Sequence, residues 1–297
     1  MDRLDAMAVL LSVVEHGSLS AASRALHSPL PTVSRKIAEL EAHLGIRLIT
    51  RTSRRILLTE AGENYVAAAR EILERVEEAE RRATGEYAAP KGDLTMTAPI
   101  VFGRLHLLPV ITDFLKAFPD INIHLTMSDR TISLADDHID VALRISELSD
   151  SSLIATRLGS IRTTTYANPD YLKRHSRPSH PDELKHHDCI AFDGVLSTRF
   201  WTFRDGAKDI AVPIQTRLSV NTAEAAVDAA AAGLGITRVM AYQAKGAIDA
   251  GLLVPLLEGF EREASPVHLV HLSQGLMPLK LRTFLDFATP RLRTLLK

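Results

Sequence analysis

The stretch from Ser18 to Gly62, SLSAASRALHSPLPTVSRKIAELEAHLGIRLITRTSRRILLTEAG, constrains this chain more than any other. An Ala-rich segment, a tight turn and a second segment opening with small polar residues and Arg35-Lys36 follow the order of a helix-turn-helix. A basic, β-prone hairpin comes next, as in a winged DNA-binding domain. The whole chain has a formal net charge of -1, yet between Arg24 and Arg55 the cations Arg24, Arg35, Lys36, Arg47, Arg51, Arg54 and Arg55 face only Glu39 and Glu41. Phosphate binding needs a local basic face, not a basic whole.

The local pattern predicts the elements. Leu4, Met7, Leu11 and Val14 step by three and four, giving a first helix over about Leu4 to Glu15 with one buried stripe. Gly17 ends it. Ser18 is placed to cap a second helix, in which Ala21, Ala22 and Ala25 permit close packing. Ser28-Pro29 reads as a cap followed by a first-turn proline. The third helix then runs to about Leu44, with Val33, Ile37, Leu40 and Leu44 inward and Gly45 closing it. Thr32, Ser34, Arg35 and Lys36 fall on or near its outward N-terminal face, the end that reaches base edges and phosphates. Leu48-Ile49 and Ile56-Leu57-Leu58 flank Arg51-Thr52-Ser53-Arg54-Arg55, a wing whose arginines suit the backbone or a minor groove.

Thr59 and Gly62-Glu63 open a long helix reaching about Thr84. Val66, Ala69, Leu73 and Val76 form its stripe, while Glu71, Glu74, Arg75, Glu77 and Glu78 lie off it. Such a stripe suits coiled-coil-like pairing with a second copy, or packing against its own chain. Gly85 and Ala88-Ala89-Pro90-Lys91-Gly92 read as a linker.

From about Asp93 strands and helices alternate. Strands are expected at Leu94–Thr97, Ile121–Met127 and Ile139–Ile145, with helices at Arg104–Phe118 and near Ser133–Asp136. A second set has strands at Thr163–Ala167, Cys189–Phe192, Leu218–Val220, after Gly233-Leu234-Gly235, and Val267–Leu272. Its helices are near Pro169–His175, Pro181–Lys185, Thr222–Ala232 and Leu279–Leu295. This βαβ pattern implies mostly parallel sheets in two α/β lobes, with a ligand held between them at strand C-termini and helix N-termini.

These motifs in this order resemble the LysR-type transcriptional regulators over nearly the whole chain. AASRAL (Ala21–Leu26), PTVSRKIAELEAHLGIRL (Pro31–Leu48), Arg51 and LTEAG (Leu58–Gly62) match the N-terminal pattern. GDL (Gly92–Leu94), FPDI (Phe118–Ile121), DVALRI (Asp140–Ile145), DSSLIATRLG (Asp150–Gly159) and AGLGI (Ala232–Ile236) match the C-terminal half. The resemblance implies an α+β multidomain chain. Its parts would be a winged helix-turn-helix over 1–58, a dimerisation helix over 59–89 and a periplasmic-binding-protein-like effector domain over 90–297. Lobe I would be about 93–160 plus 266–297, and lobe II about 161–265.

The resemblance also implies the partners: double-stranded DNA, a second or fourth copy of the chain, a small-molecule effector, and RNA polymerase if the protein activates. DNA contacts would come from Ser20, Ser28, Leu30, Pro31, Thr32, Ser34, Arg35, Lys36, Arg51, Arg54 and Arg55. The effector would meet Thr97, Ala98, Pro99, Ile100, Ser128, Asp129, Asn221, Thr222 and Thr237. Free amides at a helix start favour a carboxylate, so a small organic acid suits this lining, as does a neutral aromatic. Capping alone is the other role for Thr97 and Thr222. The chain departs from the family at Pro29-Leu30, where Ser-Gln is common. Leu30 cannot make a bidentate adenine contact but suits a thymine methyl. Ile49-Thr50 replaces the usual phenylalanine before the wing, a packing change.

Other features bound the alternatives. No apolar run approaches the roughly 18 residues of a membrane span, and the charges within MDRLDAMAVLLSVVEHG make a poor signal peptide. The single cysteine, Cys189, excludes an intrachain disulfide and fits a reducing cytoplasm. His186-His187-Asp188-Cys189 has ligand chemistry, but neighbours on a strand point to opposite faces, so no metal is expected. Cys189 lacks an activating base. His268 and His271 read as surface or packing residues. Arg144 is expected to pair with Asp140, Asp150 or a ligand. Gly233 and Gly235 are no dinucleotide fingerprint, so no cofactor is expected. With no catalytic constellation, an enzyme ranks below a regulator. A solute receptor would suit the C-terminal half alone. Removal of residues 1–90 separates these readings, because only a regulator loses DNA binding.

Overall fold

The computed structural model describes residues 2–51, 56–83, 89–148, 153–192, 199–272 and 277–296. Its internal contacts divide the chain into two units, Met1–Ala88 and Ala89–Lys297.

The first unit contains helices α1 (Arg3–Glu15), α2 (Leu19–Ala25) and α3 (Leu30–Leu44), a hairpin of β1 (Ile49–Arg51) and β2 (Ile56–Leu58), and α4 (Glu60–Ala83). Asp2 caps α1 by accepting from the Leu4 and Asp5 amides, and Ser18 caps α2 through Ala21. The buried face of α1 is Ala6, Met7, Val9, Leu10 and Val13 rather than the expected stripe. Leu4 is exposed, while Leu11 and Val14 are half-buried, because α2, α3 and α4 cover α1 over a broader arc. Val33, Ile37 and Leu40 of α3 complete this core with Leu48, Ile49 and Val66. Leu44 is exposed, since Gly45 at φ 70 turns the chain out of the helix beside it.

Two close contacts tie the wing to the long helix. The Glu41 carboxylate accepts from the Leu48 and Ile49 amides, holding β1 against α3. Thr59 caps α4 by accepting from the Gly62 amide, and its hydroxyl donates to the Arg47 carbonyl at 2.7 Å. A Cβ on Gly62 would lie 2.0 Å from the Leu48 carbonyl oxygen, so only glycine fits. Thr84, the expected end of α4, lies outside the described residues, as do Gly85 and Ala88 of the expected linker.

The second unit contains two five-stranded sheets. One has the order β4-β3-β5-β14-β6, from β3 (Gly92–Ala98), β4 (Ile121–Met127), β5 (Val141–Ile145), β6 (Leu153–Ile161) and β14 (Ser265–Leu272). The other is β11-β8-β12-β7-β13. Its strands are β7 (Thr163–Ala167), β8 (Asp188–Phe192), β11 (Gln215–Val220), β12 (Ile236–Met240) and β13 (Val254–Leu256). Both sheets are mixed, correcting the mostly parallel expectation. β3 pairs parallel with β4 and β5, but β14 runs antiparallel to β5 and β6. In the other sheet β8 pairs parallel with β11 and β12, while β7 runs antiparallel to β12 and β13. The antiparallel strands β6, β7 and β14 adjoin the two places where the chain passes from one sheet to the other.

Helices α5 (Ile100–Phe102) and α6 (Leu108–Ala117) are joined by a π-helical turn, Gly103–Leu107. The helix therefore starts four residues before the expected Arg104. No helix forms near Ser133–Asp136. The segment is a turn in which Ser133 accepts from the Asp136 and Asp137 amides, and His138 at φ 50 leads out of it. Helices α7 (Pro169–His175), α8 (Ala223–Ala231), α9 (Ala241–Asp249) and α10 (Leu279–Leu295) complete the layers. A hairpin of β9 (Phe200–Asp205) and β10 (Lys208–Pro213) covers the second sheet with buried Trp201, Phe203 and Val212. Gly235 packs where a Cβ would sit 2.3 Å from the Asp188 carbonyl oxygen, which accounts for a glycine in AGLGI.

Candidate nucleic-acid interface and effector cleft

The turn between α2 and α3 is built locally. His27 takes φ 49, and the Ser23 hydroxyl donates to the Ser28 carbonyl at 2.6 Å. The expected Ser28 cap is corrected. Pro29 occupies the cap position with no side-chain bond, and Pro31 sits in the first turn, where its missing N–H is one fewer donor to satisfy. Leu30, Pro31 and Arg35 are exposed on the opening turns of α3; Thr32 and Ser34 are half-buried beside them. Ser20 is exposed on α2 and Ser28 half-buried in the turn. Arg35 is 68% exposed, 3.6 Å from Glu39. Lys36 differs: its ammonium lies 2.6 Å from Asp5 of α1, so part of its charge is spent inside the unit. Arg51 closes β1 opposite Ile56. Its side chain, together with Arg54 and Arg55, lies outside the described residues.

In the second unit, Thr97 and Ala98 end β3 and are buried; Pro99 and Ile100 open the helix that follows. The Ser128 amide donates to the Ala98 carbonyl at 2.9 Å, stitching the ends of β3 and β4. Asp129 Oδ1 accepts from the Ile100 amide at 3.1 Å. The helix-start amide that the sequence offers to a carboxylate is thus capped by this chain's own acid. Five of the nine expected effector residues, Ala98, Pro99, Ile100, Ser128 and Asp129, form this one bonded cluster.

Three of the others belong to the second sheet and its helix. Asn221 is exposed ahead of Thr222, which caps α8 by accepting from the Ala225 amide at 3.3 Å. Thr237 has no exposed surface, and its hydroxyl donates to the Ile190 carbonyl at 3.2 Å. Thr237 therefore lies within the sheet, paired with Ile190 of β8.

Residues that the sequence did not single out join the two groups. Arg104, on the π-helical turn, meets Glu224 of the first turn of α8 at 2.5 Å. Phe102, His106 and Tyr242 of α9 pack against one another at ring separations of 4.8 to 5.7 Å. Val101 joins the apolar cluster of Tyr166, Ile190 and Phe192. A π-helical turn rotates side chains out of α-helical register and often marks a working site. Here it carries both Arg104 and His106. Burial pushes the Asp129 carboxyl above its ordinary value; the Ile100 amide opposes this and the Glu224 charge adds to it. Burial raises the Tyr242 phenol, helped by Asp129, and burial lowers His106.

The remaining sequence candidates are structural here. The Tyr171 hydroxyl receives the Asp188 amide and lies 3.3 Å from His187 Nδ1, which burial holds below its usual range. Arg217 pairs with Asp188 at 2.6 Å, and Cys189 is buried with its thiol pushed up to about 12. Among the described residues no three His, Cys, Asp or Glu side chains come together to hold a metal ion. Arg144 donates to the Ile132 carbonyl at 2.9 Å, and the Asp140 carboxylate accepts from the Thr95 amide. Asp150 lies outside the described residues. His271 is buried on β14.

A winged helix-turn-helix and a two-lobed α/β domain with a polar constellation between the lobes define a DNA-binding, ligand-responsive regulator. The comparisons agree. The family model described as "Bacterial regulatory helix-turn-helix protein, lysR family" matches residues 4–63, and "LysR substrate binding domain" matches residues 88–293. A curated HTH-type transcriptional regulator of Xanthomonas campestris is 35% identical over 96% of this chain and 84% of its own. The structure of CrgA, a LysR-type transcriptional regulator from Neisseria meningitidis, is 31% identical with TM-score 0.61, covering 97% of this chain and 98% of that one. The full-length Vibrio cholerae virulence activator AphB is 28% identical with TM-score 0.61, over 96% and 98%. The chain belongs to the LysR family of transcriptional regulators, and it is not an enzyme.

Proposed function

We propose that α3 reads DNA through Leu30, Pro31, Thr32, Ser34 and Arg35, with Ser20, Ser28, Lys36, Arg51, Arg54 and Arg55 holding the duplex backbone. The exposed N-terminal turns of α3 support this, since a recognition helix contacts base edges at that end. Leu30, 42% exposed at the helix start, is suited to thymine methyls. The domain limits follow as 1–58, 59–89 and 90–297.

Helix α4 supplies the pairing surface between copies, as a dimer or a tetramer. Its second half supports this: Ile72 is exposed, and Leu73 and Val76 are only half-buried. The effector binds between the lobes, against Thr97 to Ile100, Ser128-Asp129 and Asn221-Thr222, with Thr237 behind them. Binding there shifts the relative placement of the paired DNA-binding units, a coupling between distinct sites. The protein works in the cytoplasm and engages RNA polymerase where it activates.

The observation that carries this reading is the Arg104–Glu224 contact between the lobes beside Asp129, a place where occupancy and domain geometry are linked. The test is a fluorescence anisotropy titration of a selected duplex against wild type and R35A across a salt series. R35A should weaken binding of the selected duplex by about 1–3 kcal/mol more than binding of an unrelated duplex. An equal loss on both duplexes at every salt concentration refutes the placement of α3.

A further inference from the structure

Resting on the reading of this cleft as the effector site, we propose that Asp129 sets the effector's chemistry. The ligand presents an N–H donor or a cation to this carboxylate, and carboxylates are rejected.

The helix-start amide and the cation that would ordinarily hold an anion there are engaged by the chain itself. The Ile100 amide at the helix start donates to Asp129 Oδ1. The Arg104 guanidinium is bound to Glu224. The Thr222 and Ser128 hydroxyls accept from the Ala225 and Arg130 amides and keep their O–H groups for a ligand acceptor.

The unpaired acceptor there is Asp129 Oδ2, which is enclosed and has no hydrogen-bond partner among the described residues. An enclosed carboxylate oxygen without a donor costs free energy that a donor-bearing ligand recovers. A ligand carboxylate at the same place would leave that oxygen unpaired and add like-charge repulsion. Glu224 acts in the same sense, since its charge is felt at Asp129. This replaces the organic acid suggested by the residue types alone, because it follows from which partner each group already has.

D129N is the informative variant. Asparagine keeps an oxygen to accept from the Ile100 amide, so the cap survives, and it turns the orphan acceptor into a donor. The assay is the thermal shift of the full-length protein with three probes sharing one ring: benzylamine, benzamide and benzoate. Wild type should bind benzylamine and benzamide at least about 10-fold more tightly than benzoate. In D129N that ratio should fall to about one or invert. E224Q, which leaves the cap untouched, should shrink the benzylamine preference without reversing it. Equal binding of all three probes by wild type, no binding of any, or a preference unchanged in D129N overturns the proposal. DNA retardation by the same preparations separates the two failures: retained DNA binding refutes only the assignment of Asp129, while its loss refutes the regulator reading.

Discussion

Replacing Gly62 with alanine tests how the wing is fastened to α4. A Cβ there would stand 2.0 Å from the Leu48 carbonyl oxygen, 2.9 Å from its carbon and 3.1 Å from Leu58 Cδ2. An ordinary carbon–oxygen contact is about 3.3 Å, so α4 and β1 would have to part by about 1.3 Å. That movement strains the Thr59–Arg47 and Thr59–Leu48 hydrogen bonds, which share the same backbone. Overpacking against main chain costs about 3 kcal/mol, and the better helix propensity of alanine returns about 1 kcal/mol. The expected net loss is about 2 kcal/mol, or roughly 8–16 °C in the melting temperature of a unit this small. The assay follows from the sequence. The single tryptophan, Trp201, belongs to the second unit, so its fluorescence reports that unit alone, while helical circular dichroism reports both. G62A should add an early circular dichroism transition, leave the Trp201 transition unmoved and weaken DNA retardation. An unchanged circular dichroism melt would refute the steric argument.

Other substitutions should follow their own contacts. G246A, where no atom lies within 4 Å of the added Cβ and the backbone is helical, should stabilise the second unit by about 0.5–1 kcal/mol in denaturant titration; a loss would contradict the reading of that helix face. S18A removes the cap of α2 and should cost about 1 kcal/mol by circular dichroism melting. Cys189 should resist iodoacetamide at pH 9, because burial raises its thiol from 9.0 to about 12 and keeps it protonated there. The sign for stability follows. With the folded value above the unfolded one, this thiol's contribution is complete below pH 9 and declines as pH rises toward 12. Mass spectrometry showing rapid labelling of the folded protein would contradict its burial.

What the sequence revealed depended on the range of the forces involved. Caps, turns and stripes are local, so Ser18, Gly45 and the strands Ile121–Met127 and Thr163–Ala167 were legible from neighbours alone. The β9–β10 hairpin escaped because its reason for existing is a distant one, the sheet face that Trp201 and Phe203 cover. The cleft was half legible. Strand ends and helix starts point to Pro99, Ser128 and Thr222, but Arg104 and Glu224 stand 120 positions apart and pair only through tertiary structure. Nothing in FGRLHL marks a π-helical turn, and nothing in SDR shows that Asp129 bends back to cap Ile100.

The most direct test of the account is selection of bound duplexes from a random pool by the full-length protein near physiological salt, where non-specific affinity is suppressed. The account predicts an inverted repeat, its half-sites separated by whole helical turns and containing thymine opposite Leu30. Recovery of duplexes with no shared sequence, with or without small-molecule probes present, would contradict it.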